Sequence, residues 1–333
     1  MSLQSDFTLN VSKLRPESVS ESEKQLTDTL IAITAKGPRW YDVGAAKYRQ
    51  MRENGETALP KPIRLEEGKD FNIPSRDKGR DIPCRFIIPE HGGKVEGVFM
   101  HIHGGGWVLM SEKDQDVLMK RIAEGANLAV ISVGYRLAPE HPFPQGPEDC
   151  YDAAEWLVDN SQAKFGAPLK FAGGESAGAH LTALSAFHLL KSRPSFAFSG
   201  LLLNFGAYDL SMLPHLRNIS KPLGVLTPDV TREFLNAFLP NTTFEERRDP
   251  SISPFYADLS NMKLPPALFT CGTEDCLLED TVMMAVRWQM AGGEAVTKLF
   301  AGAAHGFIAF EKAESATEGR KCIEQFLKEK LGS

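Results

Sequence analysis

Lys170-Phe171-Ala172-Gly173-Gly174-Glu175-Ser176-Ala177-Gly178-Ala179-His180 is the stretch on which the fold turns. A short apolar run stops at paired glycines, a serine follows, and a glycine-alanine segment opens a helical pattern. Read as strand, tight turn and helix, Gly174 to Gly178 is a G-x-S-x-G turn that lifts the Ser176 hydroxyl clear of a sheet. Gly174 and Gly178 carry no Cβ, so strand and helix can cross closely beneath the serine. The helix that starts there also turns its first free N–H groups toward any negative charge that develops.

Alone, such a motif is weak, because in a chain with 28 glycines it arises by chance with a probability of roughly 0.15. A second motif changes the odds. His103-Gly104-Gly105-Gly106-Trp107 stands upstream, directly after the apolar run of residues 98–102. A His-Gly-Gly-Gly loop after a strand presents backbone amides to a developing oxyanion. Both motifs, in this order and each following a strand, are poorly explained as mere turns.

Outward from these two turns the punctuation is regular. Short apolar runs at 85–88, 98–102, 129–133, 200–204, 267–271 and 296–300 predict strands. Helical patterns at 114–126, 147–158, 279–290 and 314–330, and on from Ser176 to about 190, fall between them or close the chain. The alternation predicts an α/β fold, a mostly parallel central sheet flanked by helices. It occupies residues 74–333. Two segments do not fit it. Residues 1–60 are polar with two helical patches, the first capped by Ser20 or Ser22 and the second running from Trp40 to Met51 and stopped by Asn54-Gly55. Residues 208–264 form a connection too long to be a plain loop. Within it, Thr227-Pro228-Asp229 starts a helix bearing Phe234, Leu235, Phe238 and Leu239. Together these segments are expected to make a helical cap above Ser176.

A serine hydroxyl needs a base, and the base needs a carboxylate to fix its tautomer. In chain order the acid and then the histidine follow the serine. His180 and His188 lie on the serine's own helix and point away, and His215 lies in the long connection. His305, directly after the last strand, is the expected base. Asp275 and Asp209 each follow a strand that ends near the serine, and the pattern favours Asp275 without excluding Asp209. Glu274 and Asp280 read as solvated or helix-start carboxylates. Trp107 is expected to wall the substrate pocket, with a core position as the alternative. An Arg136–Glu140 pair is expected to brace the proline-rich loop beside the glycines. His101 and His103 share a strand face, but no carboxylate stands at metal-site spacing, so no metal is expected.

Composition narrows the class further. Of the 333 residues, 42% are hydrophobic and 24% charged, which fits a globular α/β chain. A net charge of −6 gives no footprint for nucleic acid or an anionic membrane. Five irregularly spaced cysteines make no disulfide framework and read as buried thiols. No signal peptide and no run of eighteen apolar residues is visible, so a cytoplasmic location is expected.

Several motifs together resemble the hormone-sensitive lipase family of esterases. They are His103 to Trp107, then Tyr135-Arg136-Leu137-Ala138-Pro139-Glu140-His141-Pro142-Phe143-Pro144, and then Gly174 to Gly178. Later blocks agree: Asp249-Pro250 with Ser253-Pro254, Leu264-Pro265-Pro266-Ala267, and Asp275-Cys276-Leu277. The resemblance runs from about residue 95 to the C-terminus. It implies an α/β-hydrolase fold with a helical cap and hydrolysis of carboxylic esters, of short to medium acyl chain, through Ser176, Asp275 and His305. It assigns the oxyanion donors to the N–H groups of Gly104, Gly105 and Ala177, and it decides between Asp275 and Asp209. The implied partner is a small-molecule ester. No cofactor is implied, and a homodimer is compatible with the chain. Glu175 and Cys276 depart from the aspartate and proline common at those positions, which affects pocket detail and removes no reacting group. Competing functions on the same residues are an amidase or lactonase, or a non-catalytic small-molecule receptor.

Overall fold

The computed structural model describes residues 8–90 and 93–332; residues 1–7, the start of the expected N-terminal segment, lie outside it. The strands are β1 (Lys69–Pro74), β2 (Asp81–Ile87), β3 (Gly97–Ile102), β4 (Leu128–Val133), β5 (Leu169–Glu175), β6 (Gly200–Asn204), β7 (Ala267–Glu274) and β8 (Ala295–Ala304). They form one sheet in the order β1-β2-β4-β3-β5-β6-β7-β8. From β4 to β8 every pairing is parallel, while β1–β2 and β2–β4 are antiparallel. The helices are α1 (Glu21–Lys36), α2 (Trp40–Val43), α3 (Ala45–Asn54), α4 (Asp116–Ala126), α5 (Gln145–Phe165), α6 (Ala177–Ser192), α7 (Pro214–Asn218), α8 (Pro228–Phe238), α9 (Leu278–Met290) and α10 (Glu314–Leu331).

Side chains alternate across the pleat, and each face has its own core. Met100, Ile131, Ala172, Leu203 and Phe269 pack toward α5, α6 and α9 through Leu157, Leu181 and Trp288. Phe99, Val130, Phe171, Leu202 and Leu268 pack toward α4 and α10 through Met119, Ile122 and Phe326. Because both faces are covered, β3 and β4 are buried at every position. That burial is why these strands read as unbroken apolar runs.

The expected strands and helices are present with shifted ends, and the sheet begins earlier than residue 74. β1 has the sequence Lys-Asp-Phe-Asn-Ile-Pro and buries only Ile73 among its six residues. An edge strand with one wet face carries too little apolar signal to stand out. The helical patch from Trp40 is divided at Gly44, whose φ of 89° ends α2 before α3 starts. α1 is capped by Ser20, whose hydroxyl accepts the Glu23 N–H. All five cysteines are free, and only Cys322 is not fully buried. No helix among the described residues is long and apolar enough to cross a membrane.

The topology brings the C-terminal ends of β3, β5, β6, β7 and β8 to one rim. The tightest point on it is the crossing of β5 and α6 over β3. A Cβ on either Gly174 or Gly178 would collide with the Ile102 carbonyl oxygen. Gly178→Ala is therefore expected to cost at least about 3 kcal/mol, because rigid backbone and not a mobile side chain has to move. Urea unfolding measures it, and wild-type stability in that variant would contradict the crossing described here.

Candidate active site

Ser176 sits between β5 and α6 with φ 58° and ψ −117°, a conformation that a side-chain-bearing residue adopts only when its surroundings enforce it. Here they do. Its N–H donates to the Asn204 carbonyl at 2.9 Å, and the glycines on either side let the chain fold back over β3. The hydroxyl is thereby turned toward His305, which follows β8. His305 Nε2 lies 2.9 Å from Ser176 Oγ, and Nδ1 lies 2.8 Å from Asp275 Oδ2. A carboxylate can only accept, so the imidazole proton sits on Nδ1 and Nε2 is left to accept from the serine. Asp275 is 1% exposed, and its other oxygen accepts the Leu277 N–H at 2.9 Å. The Phe205 ring meets His305 edge to face at 5.1 Å.

Asp209, the competing carboxylate, belongs to a separate cluster. It accepts from the N–H and hydroxyl of Ser211 at 2.7 and 2.6 Å and from the Tyr256 hydroxyl at 2.8 Å. The other histidines of the region are occupied as well. His180 donates from Nε2 to the Ile252 carbonyl, and its Nδ1 accepts the Trp107 indole N–H at 3.1 Å. Burial pushes its pKa down to about 4. His103 donates from Nδ1 to the Gly104 carbonyl, and burial pushes it down to about 3. His101 bridges Ser132 and Glu175 at 3.0 and 2.9 Å. No group of three or more His, Cys, Asp or Glu side chains among the described residues is arranged to hold a metal ion.

The loop after β3 lies against the serine turn. A Cβ on Gly104 would stand 2.8 Å from the Glu175 carbonyl oxygen. The N–H groups of Gly104 and Gly105 reach no acceptor among the described residues, and Ala177, as the first residue of α6, has no intrahelical acceptor. Around the loop, the Tyr135 hydroxyl donates to the His103 carbonyl at 3.1 Å. Trp107 is 3% exposed and stacks on Phe238 of α8, 4.8 Å between centroids. Its ring therefore packs in the core and holds the loop against α8 and α6.

The expected Arg136–Glu140 pair does not form. Arg136 turns inward to the fully buried Asp149 on α5, with contacts of 3.0 and 2.9 Å, and also reaches Asp77. Glu140 faces outward and pairs with Arg49 of α3 at 2.9 Å. The buried carboxylate takes the partner that neutralises it, which spacing along the chain cannot reveal. Arg49 gave no signal in sequence, since it is one of several charges on a polar helix.

The alpha/beta hydrolase fold family matches residues 99–309. Among sequence relatives, the carboxylesterase NlhH of Mycobacterium tuberculosis is 31% identical over 292 residues, spanning 86% of this chain and 88% of that protein. The ethyl acetate hydrolase of Pseudomonas putida is 28% identical over 289 residues, spanning 85% and 89%. Among solved structures, a hyperthermophilic esterase from the archaeon Pyrobaculum calidifontis is similar with a TM-score of 0.80 at 28% identity, over 95% of this chain and 99% of that one.

Asp280 stands in the first turn of α9 as its helix-start reading expects, but its surroundings differ from a surface acid's. It is not a solvated carboxylate but fully buried, and its Oδ1 accepts the N–H groups of Tyr208 and Asp209 at 2.8 and 2.9 Å. Burial outweighs those two donors and pushes the carboxyl up from its ordinary 3.8 to about 8. A carboxyl with a raised pKa takes up a proton on folding, so its contribution is complete below pH 4 and is lost as pH rises through about 8. Asp280→Asn keeps the acceptor and removes the titration. Relative to this variant, the wild type is expected to lose about 3 kcal/mol or more of stability between pH 4 and pH 9. Urea titrations of both proteins across that range test the sign, which parallel curves would refute.

Proposed function

This chain belongs to the hormone-sensitive lipase family of carboxylesterases with the α/β-hydrolase fold, and we propose that it cleaves small carboxylic esters by acyl transfer through Ser176. The observation that carries this reading is the unbroken hydrogen-bonded chain from Ser176 through His305 to Asp275. His305 Nε2 takes the hydroxyl proton as Ser176 Oγ attacks the ester carbonyl carbon. The carbonyl electron pair moves onto oxygen, and the amides of Gly104, Gly105 and Ala177 hold the resulting oxyanion. Such a donor is worth roughly 10²–10³ in rate, so the glycine loop matters as much as the base. The imidazolium, held by Asp275, returns its proton to the leaving alcohol as the C–O bond breaks. Water then attacks the acyl-serine with His305 again as base, and the carboxylic acid departs. Atoms and charge balance without a metal or organic cofactor.

In this reading residues 1–60 and 208–264 are a helical cap on the catalytic unit of residues 74–333. Support comes from aromatic contacts. Trp40 of α2 stacks on Phe234 of α8 at 5.1 Å with planes 13° apart. Phe234 in turn lies so close over Gly106 that a Cβ there would enter its ring. Trp107 contributes to the substrate wall by holding Phe238 behind it. An aromatic roof this close to the oxyanion loop favours short to medium acyl chains, and the relative from Pseudomonas putida is named for a two-carbon acyl ester. A non-catalytic receptor has no use for a serine bonded to a histidine–carboxylate pair, which disfavours that alternative.

Hydrolysis of p-nitrophenyl acetate, butyrate, hexanoate and decanoate, with a p-nitroanilide beside them, tests the reading. Ser176→Ala is expected to fold and to lose activity by a factor on the order of 10⁴ or more. Ester turnover undiminished in that variant overturns the mechanism. Asp275→Asn is expected to lower kcat by about 10⁴ through the wrong imidazole tautomer, and Asp209→Asn by less than about threefold. The reverse order would transfer the acid's role to Asp209. Faster turnover of the decanoate than the butyrate contradicts the short roof.

A further inference from the structure

The loop after β3 is held in an unfavourable shape. Gly105 and Gly106 have φ of 99° and 61°, and two residues with side chains, Trp107 and Met110, have φ of 61° and 70°. Left-handed backbone at non-glycine residues persists only where contacts over-determine it. The internal ties are few. The N–H groups of Val108 and Leu109 both point at the Gly105 carbonyl, and the Trp107 carbonyl accepts from Ala138. Besides the bonds of Tyr135 and the Trp107 indole, a further tie comes from outside the catalytic unit. Arg49 on α3 donates from Nε to the Val108 carbonyl at 2.7 Å and from Nη2 to the Ala138 carbonyl at 2.8 Å. The same guanidinium meets both Glu140 oxygens, at 3.0 and 2.9 Å. Val108 is fully buried, and without Arg49 its carbonyl loses the hydrogen-bond partner that the structure gives it.

We propose that Arg49 is a positioning residue of the ester-cleaving reaction: it bolts the N-terminal helix to the loops carrying Val108 and Ala138 and thereby holds the Gly104 and Gly105 amides in line with the oxyanion. The inference rests on the assignment of those amides under Proposed function. The planar fork of arginine suits the task, since its N–H groups diverge at fixed angles onto two carbonyls and a carboxylate. An ammonium is a point charge on a flexible stem and cannot reproduce that set. Glu140 neutralises the fork from its exposed side and bonds to neither loop carbonyl, which the fork reaches on its own. Loss of Arg49 therefore acts on the transition state, where the oxyanion exists, more than on ester binding.

The test uses the full chain with Arg49→Ala, Arg49→Lys and Glu140→Ala, assayed with p-nitrophenyl butyrate and with a trifluoromethyl ketone whose hemiketal oxyanion occupies the same position. Both Arg49 variants are expected to lose at least tenfold in kcat with KM within threefold of wild type. Ketone affinity is expected to fall in parallel with kcat/KM, whereas Glu140→Ala stays within threefold throughout. Fluorophosphonate labelling of Ser176 and circular dichroism verify that the variants are folded, and Arg49→Lys carries the test if Arg49→Ala does not fold. Wild-type kcat and ketone affinity in Arg49→Lys overturn the proposal. So does a Glu140→Ala loss equal to that of Arg49→Ala, which reduces Arg49 to an ion pair. Ser176→Ala is run alongside. If it is inactive while the Arg49 variants are unimpaired, only this inference fails. If it remains active, the esterase mechanism fails and takes the inference with it.

Discussion

The arrangement depends on one close approach, the passage of Gly174 and Gly178 over the Ile102 carbonyl oxygen. With no room for a Cβ at either glycine, β5 can turn directly into α6 and hold Ser176 at φ 58°. A side chain at either position would lift the helix off β3. The hydroxyl would then leave the line to His305, and the first N–H of α6 would leave the rim of the sheet. Neither hydrogen bonding nor burial elsewhere could restore that geometry, because the obstruction is backbone against backbone. The strain at Ser176 is small beside the packing that enforces it, since both sheet faces are fully covered around this point.

Beneath the turn lies a buried polar layer that fixes it laterally. Glu175 accepts from His101 and from Gln115, both at 2.9 Å, His101 reaches Ser132, and Asn204 accepts the Thr270 hydroxyl proton at 2.8 Å. With Asn204 Nδ2 also donating to Glu175 Oε1 at 3.5 Å, successive strands β4, β3, β5, β6 and β7 are joined side chain to side chain just below the rim. A layer of this kind is costly when half satisfied and rigid when complete. It also sorts the histidines. His101, His103 and His180 each spend at least one ring nitrogen on a fixed partner inside the protein, and burial holds the latter two neutral. His305 alone among those four faces the Ser176 hydroxyl.

What was legible in the sequence follows from where each signal is stored. Interior strands bury both faces, so the runs at 98–102, 129–133 and 200–204 announced themselves, whereas β1 with its single buried residue did not. The serine turn and the glycine loop were legible because their chemistry demands residue types at fixed local spacing. The neighbours of Ser176 were readable to the level of a contest. Asp275 and Asp209 both follow strands that end on the same rim; spacing left them in contest, the family resemblance chose Asp275, and the three-dimensional path puts it beside His305 and Asp209 beside Tyr256. Ion pairs were the least readable. Arg136 and Glu140 sit four apart and invite pairing, yet a buried carboxylate at Asp149 outbids a solvated one. Asp280 reads as an ordinary helix-start acid until its two backbone partners are seen.

In the proposed mechanism residues 1–60 and 208–264 supply no reacting group, yet the loop beside Ser176 is packed against helices from both segments. Phe238 of α8 covers Trp107, whose indole N–H reaches His180 on the serine's helix. Phe234, stacked on Trp40, closes over Gly106. From the other side α3 delivers Arg49 to Val108. A loop with four left-handed residues has little preference for its own shape, so its accuracy is borrowed from these neighbours. Precision in an oxyanion site has to be present before the charge forms, since amides that must reorganise lose their advantage over water. In the proposed mechanism the helical segments are therefore part of the site's electrostatics as well as its roof, and a change in them acts on the reaction through the position of two glycine amides.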